Sequence, residues 1–474
     1  MVSQQKKIQH LLLRAGFICS PSDLKTLADK SIEDIAKKLW ADSQTSTPLQ
    51  SAGELPDLSA VKEMSAEEKK EYMQKMAKQG KDLSLEWLNN MCTTHSVLRE
   101  KMTLFWHGHF ACRSSIAQFD QSLNDLMRQN ALGNFRDLLE AVSKSPAMLQ
   151  FLNNEQNRKL RPNENFAREV MELFTMGRGN YTENDIKNAA RAFTGWRFDK
   201  RGDFQFAEHQ HDSDSKTFLE QTGNFNGDDI LSIILQSPAT SNFIVRKLYR
   251  YFVNEMLDED ICNNLAKQFQ QDYDIGRLMY YIFTSSWFYD EKNIGTRIKS
   301  PVELIVNLNR AIPVTPANAN APLFVEKVLG QVLFNPPNVA GWKGGKDWID
   351  SSSLMFRLSL PGFIFNQNDV NIQAKEDPDD AEHKMMTRQE QPENKQDRKP
   401  NKLDATVDWT TYISAFIDVK DEQMFDTICE YLIQTPEPQF KKDTLLRYVA
   451  KDTKESFIKS LTSALMSTPE YQMC

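Results

Sequence analysis

At 474 residues, with 40% hydrophobic side chains, the chain holds enough apolar material for one very large domain or several ordinary ones. Its 57 basic against 65 acidic residues leave a net charge of −8, which argues against a nucleic-acid partner or an anionic membrane surface. No run of about eighteen apolar residues is present to span a membrane, and Cys19, Cys92, Cys112, Cys262, Cys429 and Cys474 lack any spacing that closes a disulfide or metal motif.

The opening, MVSQQKKIQHLLLRAGF, carries basic residues and then a broken apolar run without a small-residue cleavage site. It reads as an amphipathic helix, and as it stands it leaves the chain in the cytoplasm. SPSDLKTLADKSIEDIAKKLW reads as two short helices, the second opened by Ser31 with Asp34 three residues on. Residues 45–80 form a polar insertion whose MSAEEKKEYMQKMAKQG suits a solvated helix. From Leu85 to Phe105 apolar residues recur at three and four, which predicts one buried helix ending at the pair His107 and His109.

Gly133 then separates a longer helix from a shorter one, and Pro146 starts the next turn. In NENFAREVMELFTMGRGNYTEN, Phe166, Val170, Leu173 and Phe174 form an apolar stripe closed by Gly177 or Gly179, and Thr182 with Asp185 caps the following helix. Alternation about a Lys200 to Asp203 turn predicts a hairpin, followed by a polar, histidine-bearing loop to Phe225. Helical pattern resumes to about residue 333. The span 368–403 is dense in charge, Pro and Gln, has almost nothing to bury, and reads as a disordered linker. No internal repeat of fixed period is present. The fold class is therefore mainly α. A large multi-helical domain covers residues 1–367 with a small β-hairpin around 196–206, and helices over 404–474 dock on it after the disordered insertion.

Three clusters carry candidate chemistry. His107 and His109 flank Gly108, and two residues in a continuous helix point about 200° apart, so they share an ion only if the helix breaks at that glycine. ENFAREVMELF sets Glu164, Arg168, Glu169 and Glu172 near one helical face, suited to ligating an ion, to general-base work or simply to pairing among themselves. EHQHDSDSK supplies His209, His211, Asp212, Asp214 and Lys216, nitrogen and oxygen donors appropriate to zinc or manganese, or an ordinary polar loop. Trp342 and Trp348 in LFNPPNVAGWKGGKDWI line a pocket or anchor a loop. Walker, GxGxxG, HExxH, GxSxG and EF-hand patterns are absent, which argues against phosphate-cradle and α/β-hydrolase chemistry.

The segments LLLRAGF, KMTLFWHGHF, ALGNFRDLLEAVSKSPAMLQFLNN, NENFAREVMELFTMGRGNYTENDIKNAARAFTGW, HDSDSKTFL and FNPPNVAGW occur in an order that resembles the large bacterial family catalogued as domain of unknown function 1800. The resemblance runs from about residue 8 to residue 365, and LTSALMSTPEYQMC is similar to the family's usual ending. It implies importance for His107, His109, Glu164, Arg168, Glu169, Glu172, Arg191, Trp196, His211 and Asp212, and it sets His209 aside. Gly108, Asn153 and Asp214 stand where the family commonly has Asn, Asp and Gly. Relatives often carry export signals, which leaves export open, and are often encoded beside an uncharacterised protein resembling alkaline-phosphatase-like metal enzymes, a partner by association.

Two functions remain. In one, a metal-dependent hydrolase uses His107, His109 and His211 as ligands, with Asp212 or Glu169 completing the shell, Glu172 as general base, and Arg168 or Arg191 holding an anionic substrate group. In the other, a non-catalytic helical scaffold or partner-binding protein uses the same residues as a buried structural network.

Overall fold

Local capping chemistry accounts for most helix starts. The structure, a computed structural model, describes residues 2–366 and 403–474. Helices α1 (Gln4–Ala15), α2 (Pro21–Leu27) and α3 (Ile32–Asp42) begin at Ser3, Ser20 and Ser31, each accepting a backbone N–H from the first turn. A short α4 (Leu58–Glu63) precedes the long α5 (Ala66–Thr93), which opens on a Ser65/Glu68 capping box. Then come α6 (Val97–His109), α7 (Ala117–Asn130), α8 (Phe135–Lys144), α9 (Pro146–Phe151), α10 (Asn165–Glu169) continuing into a π-helical turn (Val170–Thr175), and α11 (Glu183–Ala192), capped by Thr182 and Asp185.

Strands β1 (Trp196–Phe198) and β2 (Phe204–Phe206) pair antiparallel about the expected turn. A second hairpin, β3 (Lys216–Phe218) with β4 (Gln221–Gly223), lies in the segment read as loop. Its turn uses Leu219 and Glu220 at φ 44° and 66°, a conformation that neither residue type signals in sequence. Helices α12 (Gly227–Gln236), α13 (Pro238–Phe252), α14 (Glu259–Phe269), α15 (Ile275–Thr284), α16 (Pro301–Ala311), α17 (Ala321–Leu329) and α18 (Ser351–Phe365) complete the first stretch, with β5 (Val314–Pro316) before α17. After residue 403, β6 (Ala405–Val407) pairs antiparallel with β5, and α19 (Thr410–Phe416), α20 (Asp421–Leu432), α21 (Lys442–Leu445) and α22 (Lys454–Met466) follow. The protein is mainly α-helical with small two-stranded hairpins, and among the described residues no helix is long and apolar enough to cross a membrane. Residues 368–402, expected as a disordered linker, lie outside the described residues.

One expected helix is two. The apolar spacing from Leu85 to Phe105 is interrupted at Thr94, whose extended backbone (φ −66°, ψ 150°) ends α5, and α6 restarts after Ser96. The break is held by Arg310, whose Nη1 donates to the carbonyls of Met91, Cys92 and Thr94 at 3.1, 3.2 and 3.1 Å while Nε donates to Ile18 O at 3.1 Å. A guanidinium thus supplies the donors that the last turn of α5 lacks.

Helix α6 lies at the centre of the core. Trp106 is fully buried and donates to Ala131 O at 3.0 Å, while Trp87 of α5 donates to Glu100 Oε2 at 2.7 Å, and that carboxylate takes Arg128 Nε at 2.8 Å. The residues after 403 touch the N-terminal helices directly: Lys6 Nζ donates to Ile433 O at 2.5 Å, Gln9 Nε2 to Glu430 O at 3.1 Å and Tyr431 Oη to Cys19 O at 2.8 Å.

Because Arg310 joins α1's exit to the end of α5 through four hydrogen bonds, Arg310→Ala is expected to lower unfolding free energy by about 2–4 kcal/mol in denaturant titration. A loss below about 1 kcal/mol would show that water caps these carbonyls equally well.

Candidate functional site

Helix α6 runs through Gly108 to His109, so the two imidazoles leave it in different directions. The ring of His107 sits between Trp87, Phe334 and Trp342, and its Nε2 accepts the Phe334 N–H at 3.1 Å, which places the ring proton on Nδ1. Phe334 holds φ 61°, so this hydrogen bond supports a backbone conformation that is costly for an aromatic residue. Burial, reinforced by Arg128, pushes His107 down to about 3, and the ring is neutral at any ordinary pH.

His109 reads the end of the π-helical turn. There the backbone N–H groups of Met176 and Gly177 both return to Met171 O, and the Leu173 and Phe174 carbonyls take side-chain donors instead. His109 Nε2 lies 3.0 Å from Phe174 O and donates to it, which leaves Nδ1 as the acceptor for Lys247 Nζ at 3.2 Å. Lys247 also donates to Leu173 O at 3.0 Å. Burial, then the neighbouring Lys247, keeps His109 well below its ordinary value, and burial brings Lys247 down to about 8.

The carboxylate helix divides its partners. Arg168 forks onto Glu183 with both contacts at 2.9 Å and reaches Glu164 at 3.3 Å. Glu172 takes Arg178 Nε at 2.5 Å and the Tyr181 hydroxyl at 3.3 Å. Glu169 is half-buried and its carboxylate has no hydrogen bond or ion pair to any described residue; burial and then Glu172 raise it above the usual carboxylate range. Asn153, preceding this region, holds φ 57°, which Asn accommodates better than most residues.

The His211/Asp212 loop is clamped to the far end of α11. Arg191 grips Asp212 with Nε–Oδ2 2.6 Å and Nη2–Oδ1 3.2 Å, Thr194 Oγ1 accepts the Asp212 N–H at 2.8 Å, and His211 Nδ1 donates to Thr194 O at 3.0 Å. Burial opposes ionisation of Asp212 most strongly, but the Arg191 hydrogen bonds, the Asp214 N–H and the charges of Arg191 and Lys216 together outweigh it and hold the carboxyl low. Lys216 closes the loop on the carbonyls of Asp212 and Asp214 at 2.5 and 2.9 Å, while His209 pairs with the neighbouring Gln210. Glu183 and Arg191 are eight residues apart on α11, about 12 Å along the axis, so Arg168 and Arg191 work at opposite ends of that helix. Among the described residues no group of three or more His, Cys, Asp or Glu side chains could hold a metal ion.

Sequence reasoning passed over the densest buried charge in the molecule. Lys101 of α6 and Arg297 both meet Glu303 of α16; Arg297 is bidentate at 2.8 and 2.7 Å, and the three side chains are almost wholly buried. The available signal was Lys101 inside the apolar spacing of α6, together with the RIKSPVE run of residues 297–303.

These features define a mainly helical protein whose candidate histidines and carboxylates are largely bound to its own backbone and cations. The chain belongs to the family described as "Protein of unknown function (DUF1800)", whose model matches residues 10–473. No curated protein and no solved structure matches it.

The Lys247 contact gives a pH test. A lysine whose folded value lies near 8 gives up its proton in the native state while the unfolded chain still holds one, so stability rises with pH from about 8 toward the unfolded value near 10.4. The melting temperature of the wild type is expected to gain on that of Lys247→Met between pH 7.5 and 9.5; parallel profiles would show that Lys247 is not the titrating group.

Proposed function

We propose that this protein is a non-catalytic helical scaffold or partner-binding protein in which the His, Glu and Arg cluster is a structural network. One observation carries the reading: the electron pairs that a metal would need are already given to protein donors. His107 Nε2 receives a backbone N–H, His109 Nδ1 receives Lys247, and Asp212 receives Arg191. Freeing any of them leaves an unpaired buried donor, at about 1–3 kcal/mol each. The network fastens α6 to the π-helical turn, α6 to the Phe334 strand of loop, and α11 to the loop at 211–216. It stiffens the helical body without supplying a reacting group. The alkaline-phosphatase-like protein suggested by family resemblance is the first partner to seek by co-purification.

A metal-dependent hydrolase is the second reading, and Glu169 favours it. A half-buried carboxyl with no partner among the described residues, raised above the ordinary range, beside Glu172 and at the mouth of a π-helical turn, has the features of a general base or a ligand awaiting its ion. On that reading zinc or manganese would draw on His107, His109, His211, Asp212 and Glu169 after the present hydrogen bonds exchange, with Glu172 as base and Arg168 or Arg191 binding the substrate's anionic group.

Elemental analysis of protein purified without a histidine tag, paired with thermal melts of wild type and Glu169→Gln with and without chelator, separates the two. The scaffold reading expects far less than one equivalent of metal and melts that ignore chelator in both proteins. About one equivalent of zinc or manganese, with chelator lowering the wild-type melt and leaving Glu169→Gln unmoved, would overturn it in favour of the hydrolase.

A further inference from the structure

Five buried cations, Arg14, Lys101, Arg297, Lys299 and Arg357, surround one buried carboxylate, Glu303, where residues 297–299 run alongside 472–474. Arg297 and Cys474 exchange backbone hydrogen bonds at 3.2 and 2.8 Å, and Lys299 N–H donates to Gln472 O at 2.8 Å. Glu303 is fully taken by Lys101, by Arg297 and by the Ser300 N–H at 2.7 Å. Arg14, Lys299 and Arg357 therefore have carbonyls for partners but no carboxylate of their own: Arg14 donates to Asn293 O at 3.1 Å, Lys299 to Tyr471 O at 2.5 Å and Arg357 to Lys299 O at 3.0 Å. Glu255 is the other acidic side chain that Arg14 senses, and its effect there is the weakest.

Several donor nitrogens of this cluster lack partners. Arg14 Nε and Nη1, Arg357 Nε and Nη2, and Gln472 Nε2 are buried and donate to nothing among the described residues. Uncompensated buried cations of this number are unstable against their own desolvation unless negative charge joins them. Hydrogen bonds gather Arg14, Lys101, Arg297 and Lys299 beside residue 474: Lys101 Nζ reaches Glu303 and, at 3.2 Å, the carbonyl of Leu13 next to Arg14; Arg14 Nη2 reaches Thr296 Oγ1 at 3.4 Å, next to Arg297; Lys299 pairs its N–H with Gln472; and Arg297 Nη1 stands 3.8 Å from Cys474 Sγ. The shared point identifies where an acceptor belongs, and donors in a fork geometry identify its class.

We propose that Arg14, with Lys101, Arg297 and Lys299, forms a buried oxyanion site beside residue 474 that takes a carboxylate- or phosphate-class group. The group has two sources of the same chemistry: the α-carboxylate of residue 474 in a chain that ends there, or a free anion from solution. Either one accepts from Arg14 Nε and Nη1 and offsets the cationic excess. In both cases the anion tethers α1 to the 471–474 segment.

Four proteins test this: a chain ending at Cys474, the same chain continued by a Gly-Ser extension, and Arg14→Met in each. Thermal melts are taken in a sulfate- and phosphate-free buffer and in phosphate, with sodium chloride matching ionic strength. A free anion gives both Arg14 proteins a gain of about 2–5 °C in phosphate over chloride, and Arg14→Met abolishes that gain. An internal carboxylate makes the chain ending at Cys474 indifferent to phosphate, while the extension lowers its melt and phosphate restores part of the loss only when Arg14 is present. Either pattern supports the site and names its source. The proposal is overturned if neither phosphate nor the extension moves the Arg14 proteins, if Arg14→Met keeps the phosphate response, or if Arg14→Met melts higher in every buffer, as removal of an uncompensated buried charge would make it. Should Arg14→Met not fold, the phosphate and extension comparisons on the Arg14 proteins decide alone.

Discussion

Glu303 joins a local rule to a global one. As the third residue of α16 it completes a capping box with Ser300, satisfying an orphan backbone donor in the usual way. The same carboxylate accepts from Lys101, 202 positions earlier in the chain, and from Arg297, whose backbone pairs with Cys474. Burial works against its charge, but Arg297 and Lys101 outweigh burial and hold it below the usual carboxylate range. Removing one partner from such a group strands charge in the interior and costs about 3–5 kcal/mol. The helix cap, the central helix and the final segment thus depend on one side chain.

That dependence reaches the candidate site. Lys101 fixes the roll of α6 about its axis, and the roll decides that His107 faces the Phe334 loop while His109, two residues on, faces the π-helical turn. The histidines are therefore oriented by a charge pair about two turns away along the same helix. Their burial leaves them neutral, and neutral imidazoles serve here as geometric donors and acceptors to backbone groups that no helix or strand satisfies.

Local signals in the sequence were faithful where chemistry is local. Ser31 with Asp34, Thr182 with Asp185, Pro146 at a first turn and the Lys200 to Asp203 turn all occur where their side chains dictate, because a cap or turn is decided within four residues. The break at Thr94 was hidden because the apolar spacing continues across it and the residue that holds it, Arg310, is over two hundred positions away. The hairpin at 216–223 escaped since Leu219 and Glu220 are poor indicators of left-handed backbone. At the candidate site, sequence placed His107, His109, Glu169, Glu172, His211 and Asp212 in distinctive surroundings. It could not reveal that Phe334 N–H, Lys247 and Arg191 occupy the electron pairs of His107, His109 and Asp212, because those partners come from elements brought near only by folding.

The most direct test of this dependence is native-state hydrogen exchange on Glu303→Gln, read at the amides of Arg297 and Cys474 and alongside denaturant unfolding. The account predicts a stability loss of about 3–5 kcal/mol, with protection lost first at those two amides. A loss under about 1 kcal/mol, with both amides as protected as in the wild type, would contradict it.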